Sequence, residues 1–304
     1  YSENVLGMYF RRKNPNGEWS GGAMYYLRDG LGGKKGCKWI GKTLAVLFCI
    51  FAMLASFGIG SMGQVNKIVA NVAAAFDVQA LSNVTLFGNV NLYSVLLGVI
   101  IMVLTAIITL GGVKRIASVA EKIVPFMVVL FVAGSLIILG INYKLIGAAF
   151  AAIFKYAFSV PAVVGAAGGT IIKTVVTQGC KRGVFSNEAG LGSSVIAHST
   201  SATREPVKQG LWGIFEVFFD TFIICTITAL VILVSFGDTV GMETVLYAQK
   251  NGDFVYANTT VSMMAFEGVF GTFGTVVYSV IIPLFAFTTI LAWSYYGEKC
   301  VDFL

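Results

Sequence analysis

The sequence predicts an all-α polytopic membrane protein, and three observations lead to that fold class. Only 12% of the 304 residues are charged and 57% are hydrophobic, whereas soluble domains have about 25% charged residues. Five apolar stretches each approach the roughly 20 residues with which a helix crosses a hydrocarbon core. The sequence does not show the short alternating segments that are typical of a transmembrane barrel.

The apolar stretches define the predicted spans, and loops of different charge separate them. Spans are expected at 44–63, 92–110, 123–141, 211–236 and 270–293. Residues 1–42 contain eight Lys and Arg residues, whereas the loop 64–91 contains only Lys67. Because Lys and Arg are enriched in cytoplasmic loops, we predict that residues 1–42 are a cytoplasmic segment. The net charge of +6 therefore reports topology and does not indicate nucleic-acid binding.

The usage of cysteine and histidine argues against an enzyme. The five cysteines are scattered without a CxxC pair, and His198 is the single histidine. A disulfide framework, a metal site or a nucleophile–base pair would need such residues in clusters. A channel would show a repeated pore motif, which the sequence lacks. We expect His198 to be a structural histidine.

A connecting region at 143–182 is predicted to be amphipathic. Lys144 and Lys155 flank small and apolar residues, as in a helix that lies on a membrane surface. A polar stripe then recurs at every fourth residue of an otherwise apolar helix, at Lys173, Thr177 and Lys181.

The stretch at 183–198, GVFSNEAGLGSSVIAH, is too short and too polar for an ordinary span. It contains Gly190 and Gly192, and glycine lets a chain leave helical dihedrals at little steric cost. Two interpretations remain open: a polar loop outside the membrane, or a helix that stops near Asn187 and restarts near Ser193. A broken helix exposes N–H donors and carbonyls, with which many secondary transporters hold an anionic group and a cation. We favour the broken helix.

The last predicted span carries a second disruption of helical hydrogen bonding. Pro283 removes one backbone bond and frees the carbonyl of Ser279. The hydroxyls of Thr288 and Thr289 follow. They either form part of a sodium site or donate to carbonyls one turn back, and the residues alone favour the second interpretation.

Two further polar groups also have both structural and functional interpretations. In FGIGSMGQVN (57–66), small residues allow close helix packing, while Gln64 and Asn66 place amides near the end of the first span. Glu216 and Asp220 lie four residues apart, on one helix face. Ionisable groups within a span are functional hypotheses, but near the cytoplasmic end we expect a structural or gating role.

Four blocks resemble the alanine or glycine:cation symporter family of prokaryotes, the sodium:alanine symporters. They are GGAMYYLRDGLG (21–32), FGIGSMGQVN (57–66), KRGVFSNEAGLGSSVIAH (181–198) and FAFTTILAWSYYGE (285–298). The resemblance implies a leucine-transporter-type fold, in which two inverted repeats enclose a site between the broken first and sixth helices. The predicted spans resemble helices three to eight of that bundle, so the chain is expected to be a fragment.

The resemblance also implies candidate site residues and an activity. Thr288 and Thr289 would lie at a sodium site. The residues implied for an amino-acid pocket are Asn187, Gly190, Gly192, Ser193, Ile196, Trp293, Phe57 and Gln64. The expected function is sodium-coupled import of alanine or glycine through the prokaryotic inner membrane by alternating access, without a cofactor. Proton coupling is the alternative, and a channel or a membrane-embedded enzyme is a more distant one.

Overall fold

A computed structural model describes most of the chain. The described residues are 1–15, 17–76, 81, 83–87, 90–157, 177, 179–180, 183–236, 249–250, 253–254 and 260–304. The predicted polar stripe lies largely outside them, because Lys173 and Lys181 are not described.

The described residues are mostly helical. We label the α-helices α1 Ser2–Tyr9, α2 Ala23–Tyr25, α3 Lys38–Ala55, α4 Gly63–Ala75, α5 Leu92–Thr109, α6 Gly112–Ile141, α7 Tyr143–Ala157, α8 Ser194–His198, α9 Pro206–Val217, α10 Cys225–Phe236, α11 Thr260–Phe270 and α12 Thr272–Phe303. The described strands form three two-stranded antiparallel ribbons: Arg12–Lys13 with Trp19–Ser20, Thr85–Phe87 with Val90–Asn91, and Gln249–Lys250 with Asp253–Phe254.

Five helices within the described part of the chain are long and apolar enough to cross a membrane. They are Lys38–Ala73, Leu92–Thr109, Gly112–Ile141, Pro206–Phe236 and Thr272–Phe303. Each overlaps one of the spans expected from the sequence, which agrees with a polytopic helical membrane protein. Most are longer than the apolar stretches, because helical hydrogen bonding continues into the polar flanks. The last one begins only after Gly271, whose backbone is left-handed at φ 60°.

Among the residues that the structure describes, three segments widen from α-helical to π-helical hydrogen bonding. Tyr26–Leu31 continues α2, Ser56–Met62 joins α3 to α4, and Phe218–Ile224 joins α9 to α10. Such widenings are frequent at functional sites. The last two lie inside long membrane-crossing helices, so each changes the direction in which the following side chains point.

Helix α12 takes part in three hydrophobic cores of the described residues, one of which joins its Ala286 and Ile290 to Ile68 of α4 and Ile101 of α5. Its first half packs with α6, α10 and α11 around Phe266 and Ile281. Its second half packs with α3 and α8 around Ile196, Trp293 and Cys300. Helix α7 adds to the first core with one face, where Ala149 is fully buried, as expected of an amphipathic helix at the start of the 143–182 region.

The segment 1–42 packs against the helices around the interruption. Helix α1 packs against both α8 and α9, and its Asn4 side chain is buried. Helices α1 and α8 approach closely because Gly7 has no side chain, since a Cβ on Gly7 would overlap Val195. This segment therefore belongs to the wall around the interrupted helix.

Candidate functional site

The backbone at 188–193 is not helical. A helical turn at 183–187 ends at Glu188, and α8 begins at Ser194. Glu188, Gly190 and Gly192 have left-handed backbones, with φ values of 53°, 86° and 75°. A residue with a Cβ loses about 1–2 kcal/mol in this region, whereas glycine enters it freely. The glycines therefore allow the helix to stop where the sequence predicts an interruption.

The two glycines have different surroundings. A Cβ on Gly192 would lie 2.8 Å from the Cβ of Ala23 and 2.9 Å from Cε2 of Phe48. At Gly190 no described atom lies within 4 Å of that position. The N–H of Gly190 donates to Glu3 Oε2 at 2.9 Å. Gly192 is thus required for close packing, whereas Gly190 presents a backbone donor that binds a carboxylate.

Glu188 connects the interruption to α12. Its Oε2 accepts from Ser193 Oγ at 2.7 Å, and its Oε1 accepts from Trp293 Nε1 at 3.0 Å. Trp293 and Ser193 are both buried. The carboxylate therefore satisfies two buried donors that come from two different elements.

The turn before the interruption is bonded to the π-helical segment Phe218–Ile224. Ser186 Oγ donates to Asp220 Oδ2. Asn187 Nδ2 donates to Thr221 Oγ1 at 3.0 Å, and Asn187 Oδ1 accepts from the N–H of Ala189 at 3.0 Å. Asn187 and Asp220 consequently hold the end of the helical turn at a fixed position against the neighbouring helix.

Ile196 and Trp293 lie in one buried cluster. Ile196 is 1% exposed and contacts the segment before α2, where a Cβ on Gly22 would lie 2.7 Å from Ile196 Cγ1. Trp293 lies against the π-helical segment Ser56–Met62, where Gly60 gives it room. This contact brings the first long helix to the site.

Phe57 and Gln64 differ in their placement. Gln64 is 6% exposed, and its Nε2 donates to the carbonyl of Ile59 at 3.5 Å. Phe57 is 70% exposed. Of these two candidate pocket residues, only Gln64 is buried.

The two threonines of α12 donate to the same backbone oxygen. Thr288 Oγ1 lies 2.9 Å and Thr289 Oγ1 3.0 Å from the carbonyl of Phe285. This is the bonding to a carbonyl one turn back that the residues alone favour. Phe285, Thr289 and Trp293 recur at intervals of four residues and so share one face of α12.

His198 has two side-chain partners. Its Nε2 lies 2.9 Å from Glu216 Oε2, and its Nδ1 lies 2.6 Å from Gln209 Nε2. The sequence indicated no partner for it, because both partners lie on the next helix. The same side chains, with Asp220, line a groove of about 560 Å³ whose other walls are largely aromatic. His198 is therefore a bonded histidine at the edge of a groove.

Glu3 and Arg11 are the site residues that sequence reasoning missed. Arg11 donates to the carbonyls of Ser199, Ser201 and Thr203 at 3.1, 2.6 and 2.8 Å. These carbonyls follow the C-terminal end of α8, where a cation is favourable. Arg11 thus fixes the exit from the interruption, while Glu3 bonds its middle.

The whole chain, residues 1–304, matches the family model described as the sodium:alanine symporter family. "Sodium/alanine symporter AgcS" of Methanococcus maripaludis is 38% identical over 305 residues, which cover 100% of this chain and 60% of that protein. "Amino-acid carrier protein AlsT" of Bacillus subtilis is 32% identical, with 100% and 56% covered. "Probable sodium/glutamine symporter GlnT" of the same organism is 33% identical, with 100% and 55% covered.

The chain thus spans less than two thirds of the length of these relatives. Two of their names include sodium and an amino acid, which agrees with the resemblance seen in the sequence. The match extends over the interruption, the long helices and the segment 1–42 alike. The chain belongs to the sodium:alanine symporter family.

Proposed function

We propose that the protein imports a small neutral amino acid, alanine or glycine, together with sodium by alternating access. The observation that carries the proposal is the interruption at 188–193, where the N–H of Gly190 faces a carboxylate. In hydrocarbon, irregular backbone is tolerated only where it is buried or lines a cavity. Backbone donors and carbonyls around Gly190–Ser193 are then suited to the charged ends of an amino acid.

Ile196 and Trp293 support the choice of a small substrate. Both are buried in one cluster, so they leave little room for a long side chain. One methylene in an apolar pocket changes binding by about 1–3 kcal/mol. We therefore expect overlapping use of glycine, alanine and serine, with larger neutral amino acids disfavoured. Asn187, Gly192, Ser193 and Gln64 complete the proposed pocket, and Phe57 is its most peripheral member.

The hydroxyls of Thr288 and Thr289 support sodium as the co-transported ion. Each hydroxyl donates its proton to the carbonyl of Phe285, and its oxygen lone pairs remain available to a hard cation. A sodium ion that crosses the membrane at about 100 mV releases roughly 2.3 kcal/mol. That energy, added to the sodium gradient, drives uptake in this proposal.

The proposal includes an architecture and a location. The helices correspond to helices three to eight of a leucine-transporter-type bundle in the inner membrane, with residues 1–42 on the cytoplasmic side. Helix α1 and Arg11 then close the inner end of the site, since both pack against α8.

Uptake of labelled alanine into proteoliposomes tests the function. The protein at its full native length is compared under an inward sodium gradient and a matched choline gradient, with unlabelled alanine, glycine and glutamine as competitors. We expect accumulation only with sodium, and competition by alanine and glycine. If glutamine competes more strongly than alanine and glycine, the substrate would instead be glutamine, the amino acid in the name of the relative GlnT. Absence of gradient-driven accumulation of labelled alanine would overturn the proposal.

Proton coupling is the second candidate, and the pair His198–Glu216 favours it. A histidine bonded to a carboxylate at a groove is a common element of proton-driven transport, and Glu216 is half exposed there. An inward proton gradient without sodium distinguishes the two. Accumulation under that gradient would favour protons, whereas accumulation that follows sodium alone favours the first proposal.

A further inference from the structure

We infer that Glu188 is a positioning residue, which fixes the orientation of the Trp293 indole and through it the size of side chain that the pocket accepts. The inference rests on the proposed function, since it concerns selectivity at the same site. It assigns a role to Glu188, which is not among the residues proposed to contact the substrate.

The geometry of the carboxylate is the first support. Glu188 has two acceptor oxygens, and each is bonded to a different donor: Ser193 Oγ at 2.7 Å and Trp293 Nε1 at 3.0 Å. Trp293 is 105 residues away along the chain. The indole has one N–H, which points in a single direction in the ring plane. The bond to the carboxylate oxygen, at 3.0 Å, therefore favours one rotation of the ring.

Trp293 has other neighbours besides Glu188. A Cβ on Gly60 would overlap Cβ and Cγ of Trp293. The ring of Tyr296 lies edge-on to the indole, with 5.6 Å between the two ring centroids. These contacts restrain the side chain by packing, while the bond to Glu188 adds a directional restraint at Nε1. Without that acceptor, a buried N–H would be left unpaired.

The backbone of Glu188 is the second support. Its φ of 53° is the only left-handed value among the non-glycine residues that the structure describes. Glycine would adopt this conformation at lower cost, as it does at Gly190 and Gly192. A residue with a side chain in such a position persists where surrounding contacts hold it. The contacts here are the bonds to Ser193 and Trp293, so we assign the role to the carboxylate.

The test is a cycle of two substitutions, Glu188→Gln and Trp293→Phe, in the protein at full native length. Glutamine keeps one acceptor oxygen and replaces the other with an NH2 donor, so the indole N–H loses its carboxylate acceptor. Phenylalanine keeps an aromatic ring and removes the N–H. The readout is the ratio of kcat/KM for alanine to kcat/KM for 2-aminobutyrate, which is one methylene longer. We expect either single change to lower this ratio by about tenfold.

The double variant separates positioning from a general structural role. If Glu188 acts through the indole, Glu188→Gln added to Trp293→Phe changes the ratio less than twofold. An equal tenfold change in both backgrounds, or lower uptake with an unchanged ratio, would overturn the inference. Glu205→Gln is the matched control, because Glu205 is exposed and pairs with Lys208 alone among the described side chains; its ratio is expected to stay at the wild-type value.

Two further arms keep the inference testable. If Glu188→Gln does not fold, Trp293→Phe alone still decides, since a wild-type ratio in that variant contradicts a role for the N–H. A protein with Trp293 as its single tryptophan reports orientation without transport. In that protein, Glu188→Gln is expected to lower the fluorescence anisotropy, because a less restrained indole rotates more freely. An unchanged anisotropy would contradict the role of Glu188 in positioning the ring. Wild-type protein that accumulates no amino acid would instead sink the proposed function.

Discussion

Two regions of the described chain that lose helical hydrogen bonds respond in opposite ways. At 188–193 the helix stops, and the chain passes through three left-handed residues before α8 begins. Helix α12 contains Pro283 and nevertheless continues from Thr272 to Phe303. The sequence marks both as disruptions, but only the glycine-containing one interrupts the helix.

The difference shows what is needed to open a helix inside an apolar protein. Proline removes a single donor, and buried neighbours such as Ile281 and Ala286 hold α12 together on both sides. The glycines permit a change of chain direction, after which several backbone groups need partners. Glu3 and Arg11 supply them from the segment 1–42. Here side chains that are distant in sequence bond to the interruption itself and to the loop that follows α8.

The largest loss of stability is expected from substitution of Gly192, and Gly190 serves as the comparison. Gly192→Ala adds a left-handed Cβ and an overlap with Ala23 and Phe48. The two costs, about 1–2 and about 1–3 kcal/mol, together lower the free energy of unfolding by about 2–5 kcal/mol. Gly190→Ala, with space around it, carries only the first cost. Thermal unfolding in detergent measures both, and equal losses would show that packing at Gly192 does not matter.

The second-largest loss of stability is expected from substitution of Arg11, and the neighbouring Arg12 serves as the comparison. Arg11→Ala leaves the carbonyls after α8 without their donors and removes the stacking on Trp19, so we expect a loss of about 2–3 kcal/mol. Arg12 makes an exposed ion pair with Asp29, and Arg12→Ala is expected to cost about 0–1 kcal/mol. Limited proteolysis of the 199–205 loop provides a second measurement. Equal protease sensitivity of the two variants would contradict the role of Arg11.

The sequence predicts some parts of this arrangement better than others, for physical reasons. The long spans and the interruption follow from local signals, namely apolar length and the glycines at 190 and 192. The bond from Glu188 to Trp293 has no local signal, because it joins residues 105 positions apart. The packing of α1 was also missed, since the segment is short and polar. Its small residue Gly7 and its neighbouring acidic Glu3 are the only hints.

A smaller effect concerns the threonines of α12. Thr289→Ala removes one of two donors to Phe285, and if its oxygen also binds sodium, the half-saturating sodium concentration rises about tenfold, equivalent to about 1.4 kcal/mol. Thr289→Ser keeps the oxygen and is the matched control. Alanine uptake at graded sodium concentrations is the measurement. A loss that persists at saturating sodium would indicate a folding defect and remove Thr289 from the proposed ion site.

The smallest effect is expected at Pro283. Pro283→Ala restores an N–H that can donate to the carbonyl of Ser279, in a helix that is already continuous. Because proline is disfavoured in a helix interior by about 3 kcal/mol relative to alanine, we expect unchanged or higher thermal stability, and sodium-driven uptake within about twofold of wild type. A change of twofold corresponds to about 0.4 kcal/mol, well below the loss expected for Gly192→Ala. If the variant instead unfolds more easily or loses uptake, the proline at position 283 is as necessary as the glycine interruption. Both disruptions would then be required for the stable, active protein, and the carbonyl of Ser279 that Pro283 frees would be part of that requirement.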